Sequence, residues 1–154
     1  MWGKQGFTLI EMVVVLIIIA IATVFSLPNF TAPSEQARSL NAKNNLLAIY
    51  TAEKSYYNNN NKYCLGTGGS PTNCADTLAD INTNLSLNIQ DDGTYTYECD
   101  FGVTVANVNS CTATRTNPSG AVVITLTLDK PVQPSGAYLN PTCTAPSHSN
   151  WCPI

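Results

Sequence analysis

The apolar residues of this chain are concentrated near its N-terminus. From Phe7 to Leu27 it runs for 21 residues with a single charged side chain, Glu11, whereas the remainder is rich in Asn, Thr, Ser and Pro. At a rise of ~1.5 Å per residue this segment forms a helix of roughly 30 Å, which matches the hydrocarbon core of a bilayer. The pattern predicts a polar leader (1–6), an apolar transmembrane helix (7–33) and a soluble head domain (34–154).

A second helical segment is predicted for residues 34–57, where apolar side chains recur at steps of three, four or seven. Pro28 removes a backbone donor and is expected to kink or loosen the chain that enters it. The second helix either restarts at Ser34 or continues through Pro28 and Pro33. The four asparagines at 58–61 predict its end, because asparagine side chains compete for backbone hydrogen bonds. The apolar positions of this segment are Ala37, Leu40, Leu47, Tyr50 and Tyr57.

The C-terminal half predicts a small antiparallel sheet of three strands. Residues 94–101 (TYTYECDF) alternate aromatic and polar side chains, and residues 111–116 and 121–128 flank the turn signal NPSG. Residues 78–89 hold either a short helix or an edge strand, and the tail from Pro131 is predicted to be a loop region. The expected fold class is therefore α+β: a long N-terminal α-helix packed on a small antiparallel sheet, with disulfide-stabilised loops.

The charge of the chain argues against nucleic acid as its primary ligand. The formal charge is −3 and no run of Lys or Arg occurs, so the chain has no general attraction for phosphate backbones, and no specific nucleic-acid partner is predicted. Lys4 is the only charged residue before the apolar segment, in agreement with a short cytoplasmic N-terminus.

Six cysteines follow the apolar segment, and an even number there predicts disulfides formed outside the cytoplasm. Sequential pairing is the simplest connectivity, since each bond would close a short loop; other pairings stay open. No metal site is predicted, because Cys-x-x-Cys is absent and the lone His148 has no evident co-ligands. Trp151 is expected to pack over a disulfide. The cysteines are Cys64, Cys74, Cys99, Cys111, Cys143 and Cys152.

Asp91 and Asp92 suit two roles. An acidic loop can bind calcium, and an Asp-Asp-Gly sequence is also a turn signal that explains both residues at least as well.

The sequence KQGFTLIE (4–11) resembles the class III signal of type IV pilins and the related type II secretion pseudopilins. It has a basic residue, Gly6, Phe7 and a short apolar stretch that leads to Glu11, and Pro28 stands at the corresponding family position. The resemblance in sequence is specific over residues 4–30, and beyond them only the expected architecture is similar. It implies cleavage between Gly6 and Phe7 by a prepilin peptidase, which also methylates the new amine of Phe7. The segment between Cys143 and Cys152 resembles the exposed C-terminal disulfide loop of pilins.

Glu11 is the one charge in the apolar segment. A carboxylate near a bilayer costs on the order of 2–3 kcal/mol, so a partner should offset it. In a bundle of parallel helices, the Phe7 amine of one subunit can approach Glu11 of the next and set the axial register. Two alternatives stay open: Thr8 and Glu11 form a capping box, or Glu11 extends to the lipid headgroups.

The resemblance implies a structural subunit of a type IV pilus, neither an enzyme nor a cofactor-binding protein. Its partners would be the prepilin peptidase, the inner membrane before assembly, and copies of itself in a helical filament on the cell surface. A type II secretion pseudopilin is the first alternative. The second is a secreted binding protein that loses its apolar segment after the small residues at 20–22.

Overall fold

A computed structural model of the chain describes residues 6–26, 31–66, 73–101, 108–133, 139–146 and 149–153. The chain divides into two compact units, residues 1–34 and 35–154. Pro28, the predicted kink, lies outside the described residues, as does His148.

The first unit contains helix α1 (Leu9–Ser26) and the first turn of helix α2 (Thr31–Asn60). Pro33 lies in that first turn, where a backbone N–H has no helical partner and proline is tolerated. Helix α2 therefore passes through Pro33 and does not restart at Ser34, whereas a passage through Pro28 lies outside the described residues.

Helix α2 ends in the asparagine run, as predicted. Its last residue is Asn60, and Asn61 adopts a left-handed conformation with φ of 53°. The Asn61 backbone N–H donates to the Tyr57 carbonyl at 2.8 Å. Asparagine tolerates this conformation better than most residues, so the run both weakens the helix and closes it.

The predicted apolar face of α2 is right at Leu47 and Tyr50, which pack against the core, and wrong at the exposed residues Ala37, Leu40 and Tyr57. Leu40 and Tyr57 are 45% and 40% exposed, whereas Leu46 and Ile49 are fully buried. The buried stripe also carries polar residues whose hydrogen bonds compensate their burial, so hydrophobicity alone misplaces it. In order, the buried positions of α2 are Glu35, Ser39, Ala42, Leu46, Ile49 and Glu53.

The second unit has a four-stranded antiparallel sheet in the order β1-β2-β3-β4. Its strands are β1 (Tyr95–Phe101), β2 (Asn109–Arg115), β3 (Val123–Thr127) and β4 (Thr142–Thr144). The predicted α+β class is confirmed. The prediction of three strands is wrong, since β4 lies in the tail that was expected to be a loop. With three residues it is too short for its alternation to be recognised in a sequence rich in proline.

One face of the sheet packs on the buried stripe of α2. In β1, Tyr95, Tyr97 and Cys99 are buried, and they share a core cluster with Ile124 of β3. Phe101, predicted to lie on the same face, is 44% exposed because the strand ends there.

Helix α3 (Leu78–Asn84) occupies the region that the sequence left open between helix and strand. Thr77 and Asp80 form a capping box: the Asp80 N–H donates to Thr77 Oγ1 at 3.2 Å, and the Thr77 N–H donates to Asp80 Oδ2 at 3.2 Å. Two backbone donors at the helix start are thereby paired, and this pairing stabilises a helix that has only seven residues.

A buried ion pair joins the start of α2 to the sheet. Arg115 donates to both carboxylate oxygens of Glu35, from Nε at 2.9 Å and from Nη2 at 3.1 Å. Arg115 Nη1 also donates to the Thr94 carbonyl at 2.9 Å. Arg38 adds a third contact to Glu35 at 2.6 Å. The planar guanidinium is suited to this geometry, and the pair fixes α2 against the end of β2.

Candidate processing and assembly site

The residues of the predicted cleavage signal precede α1. Gly6 and Phe7 lie outside the helix, which begins at Leu9. A Cβ built on Gly6 meets nothing within 4 Å among the described residues, and its φ lies outside the left-handed region. Among the described residues, neither packing nor backbone conformation therefore requires glycine at this position.

Glu11 closes the first turn of α1. Its Oε2 accepts hydrogen bonds from the backbone N–H and the hydroxyl of Thr8, both at 3.0 Å, and its own N–H donates to Thr8 Oγ1 at 3.4 Å. This is the capping box that the sequence analysis kept open. Within the described residues Oε1 of Glu11 accepts no hydrogen bond, so half of the carboxylate remains available.

Apolar side chains are exposed on every side of α1. All described side chains from Gly6 to Thr23 are exposed, and Phe7, Leu9 and Ile10 are at least 70% exposed. A helix with no polar face is stable only where lipid or protein covers it. Among the helices in the described part of the chain, none combines the length and hydrophobicity that crossing a membrane requires.

The head carries three disulfides that pair the cysteines in sequence order. The bonds join Cys64 to Cys74, Cys99 to Cys111, and Cys143 to Cys152. Cys99 and Cys111 are directly opposite each other in the register of β1 and β2. Sequential pairing agrees with the simplest of the connectivities that the sequence allowed.

The C-terminal disulfide encloses a loop that is attached to the core. Cys143 lies in the middle of β4, and Trp151 is half-buried against the core cluster. Asn140 is buried just before β4; its Oδ1 accepts from the Thr127 N–H at 2.8 Å and its Nδ2 donates to the Thr127 carbonyl at 2.9 Å. The side-chain amide of Asn140 thus pairs with the last residue of β3, where the short β4 supplies no backbone partner.

Glu53 is a buried carboxyl that the sequence analysis missed. Its Oε2 accepts from the Cys64 N–H at 2.9 Å, and its buried Oε1 has no partner among the described residues. Burial raises the pKa of Glu53 to about 7, against the lowering effect of the Cys64 hydrogen bond. In the sequence, the only indication was that Glu53 stands seven positions after Leu46, a spacing that places the two residues on the same face of α2.

Glu53 lies close to the central disulfide. One of its carboxylate oxygens and the sulfurs of Cys99 and Cys111 lie within 4.8 Å of one another. Zinc sites use thiolates, and these two sulfurs are bonded to each other, so this grouping cannot supply a thiolate set.

Asp91 and Asp92 form a turn. Asp91 Oδ1 accepts from the Gly93 N–H and Asp92 Oδ1 accepts from the Thr94 N–H, both at 2.9 Å, and Gly93 has a φ of 68°. Hydrogen bonds from the hydroxyl and N–H of Thr94 hold the pKa of Asp92 below its ordinary value. These carboxylates are engaged with their own backbone, which favours the turn over the calcium loop.

Comparison with known proteins supports the N-terminal assignment. The family model of the prokaryotic N-terminal methylation motif matches residues 3–27. The chain carries that methylation motif. It is also similar to the type IV major pilin protein PilA of Myxococcus xanthus (strain DK1622), with 41% identity over 60 residues. That match covers 39% of this chain and 27% of PilA, so the chain spans about a quarter of the length of this relative. No solved structure matches significantly. The motif, the PilA match and the α+β fold together support a type IV pilin.

Proposed function

We propose that this chain is the precursor of a type IV pilus structural subunit. The leader (1–6) is removed between Gly6 and Phe7 by the prepilin peptidase, and the Phe7 amine is methylated. The apolar helix (7–33) first holds the protein in the inner membrane as a single-pass precursor and then packs into the filament core, with the head (34–154) on the outside. The role is structural rather than enzymatic.

The observation that carries this proposal is the methylation motif together with the exposed apolar surface of α1. Large side chains such as Phe7 and Leu9 face solvent in the single chain, and burial of apolar surface is worth about 25 cal/mol per Å². Lipid supplies that burial in the precursor, and neighbouring copies of α1 supply it in the filament. One segment thereby serves both stages.

Gly6 supports the cleavage step. Nothing in the described chain crowds its position, so the packing of those residues does not account for a glycine there, whereas a peptidase site would. An extended peptide that enters a narrow protease site needs a small side chain beside the cut.

Glu11 has a role in register that is compatible with its capping role. The capping box uses Oε2 only, so Oε1 is available for the Phe7 amine of a neighbouring subunit. Apolar side chains alone accept several axial offsets between parallel helices, whereas one amine-carboxylate contact per subunit favours a single offset.

The similarity to a relative described as a type IV major pilin favours the pilus over the pseudopilin alternative. Loss of the leader also removes Lys4. The side-chain balance then moves from 7 basic and 10 acidic residues (−3) to 6 and 10 (−4), so the subunit becomes more acidic.

The test is the mass of the mature N-terminal peptide from membrane and sheared surface fractions. We expect a chain that begins at Phe7 and carries one methyl group. Gly6→Val should leave the chain unprocessed and still carrying Trp2, with Gly3→Val as the matched leader control that is processed normally. A mature chain that begins at Met1 or Thr23 would contradict the proposal.

A further inference from the structure

A polar cleft of about 300 Å³ lies between the C-terminal end of α2 and the end of α3. We name it the α2–α3 cleft; its walls include Ser55, Tyr56 and Asn59 from α2 and Asn84, Leu85 and Ser86 from the end of α3. The volume lies at the lower end of the range of small-molecule sites, about 300–1,000 Å³.

The cleft presents polar groups that have no partner within the described part of the chain. Four polar groups make no hydrogen bond to the described residues and can bond to water or to a ligand. They are the hydroxyls of Ser55, Tyr56 and Ser86 and the side-chain amide of Asn59. Asn84 uses Nδ2 to donate to the Cys74 carbonyl at 2.7 Å, which fixes its orientation and leaves Oδ1 available.

The chemistry of the lining selects for a neutral ligand. None of the residues that line the cleft is charged, so an ionic ligand would lose hydration without gaining a counter-charge. Amide and hydroxyl groups both donate and accept, as do the adjacent hydroxyls of a sugar ring. The half-buried Tyr56 ring and the buried Leu85 add apolar surface that suits the C–H face of such a ring.

The wall formed by α3 is held in place. The capping box of Thr77 and Asp80 fixes its start, and the Leu85 N–H donates to the Ile81 carbonyl at its end. Ser86 then adopts a φ of 54°, a region in which residues other than glycine and asparagine are uncommon. The hydroxyl is thus presented from a backbone position that serine seldom occupies.

We propose that the α2–α3 cleft is a binding site for one neutral sugar unit of a carbohydrate. The side-chain amides of Asn59 and Asn84 hydrogen-bond to neighbouring hydroxyls of the sugar ring. The hydroxyls of Ser55 and Ser86 hydrogen-bond to groups at the edge of the sugar, and the Tyr56 ring packs against one face of it. This activity goes beyond the filament role, since it uses only the head and does not depend on Phe7 or Glu11.

The experiment is an NMR titration of the ¹⁵N-labelled mature chain in a phosphocholine detergent, which carries no sugar headgroup. The probes are glucose, galactose, mannose and N-acetylglucosamine, with glucuronate as the charged counterpart. We expect saturable shifts of the Asn59 and Asn84 side-chain amides with at least one neutral sugar, and at least about tenfold weaker binding of glucuronate than of glucose.

Two variants test the assignment to the cleft. Asn59→Ala should raise the Kd for the bound sugar about tenfold or more, whereas Asn58→Ala, in the same asparagine run but outside the lining, should leave the Kd unchanged. Both positions are exposed, so the spectrum of the folded head serves as the control for integrity. The proposal is overturned by the absence of saturable shifts up to about 100 mM of every neutral sugar, by shifts confined to other parts of the head, or by equal effects of the two variants.

Discussion

Glu53 makes the stability of the head depend on pH. Burial moves its pKa from 4.5 to about 7, and the difference corresponds to about 3 kcal/mol, since each pKa unit is worth ~1.4 kcal/mol. Because the folded head binds this proton more tightly than the unfolded chain, the contribution of Glu53 to stability is full below pH 4.5. It falls as the pH rises from 4.5 to about 7 and is lost above that value.

The substitution Glu53→Gln isolates this effect. Glutamine keeps an oxygen for the Cys64 N–H and stays neutral at every pH, but its NH₂ group replaces the buried Oε1 that has no partner. An unpaired buried donor costs about 1–3 kcal/mol. At pH 8 the variant should therefore be up to about 2 kcal/mol more stable than the parent, and at pH 4 it should be less stable.

The assay is urea unfolding of the mature chain at pH values from 4 to 8, with all disulfides intact. The chain has two tryptophans, and the proposed mature chain, which begins at Phe7, keeps only Trp151, so its fluorescence reports on the head. Glu98→Gln, which changes an exposed carboxyl of β1, is the matched control. If the difference in unfolding free energy between parent and Glu53→Gln is the same at pH 4 and pH 8, Glu53 does not titrate in this range and the reasoning is refuted.

Two further substitutions test the assembly segment and the head. Glu11→Ala removes the proposed register contact together with the capping box of Thr8. Loss of a cap weakens only the first helical turn, so the variant should still be processed and membrane-bound but form few or no surface filaments by electron microscopy. Normal filament number and helical rise would contradict this. Arg115→Lys keeps the positive charge, but lysine cannot donate to both carboxylate oxygens of Glu35 from a planar fork as arginine does. The unfolding free energy should therefore fall by about 2 kcal/mol in the same urea assay. An unchanged value would show that the two-bond geometry of Arg115 and Glu35 contributes nothing to stability.

Sequence reasoning worked where one physical effect dominates. The apolar run of α1, the alternation of Tyr95 and Tyr97 in β1 and the end of α2 in the asparagine run each follow from a single rule about burial or backbone preference. The turn at Gly120, with φ of 69°, likewise follows from local residue type.

It failed where burial depends on partners distant in the chain. Ser39 is buried because its hydroxyl bonds to that of Tyr95 at 2.8 Å, and Glu35 is buried because Arg115 pairs with it 80 positions away. A hydrophobicity pattern treats such residues as surface positions, and so it placed part of the apolar face of α2 on exposed residues such as Leu40. The charged Arg115 at the end of an otherwise uncharged strand was the available signal that some acid must face it.

The cleft between α2 and α3 had no signal in the sequence. Asn59 and Ser86 are ordinary loop and helix-end residues by composition, and they become neighbours only through the packing of α3. The disulfide between Cys64 and Cys74 constrains the connection that brings them together.

The three disulfides have a consequence for the order of events during export. Their sequence separations are 10, 12 and 9 residues, and each bond joins a cysteine to the next one along the chain. When the head of a chain anchored by its N-terminal apolar segment crosses the membrane, the residues nearest the anchor emerge first, and consecutive cysteines meet an oxidant in chain order. Oxidation of each pair as soon as it appears would yield the native pairing without later reshuffling, and a chain halted midway would retain correctly closed loops in the part already outside.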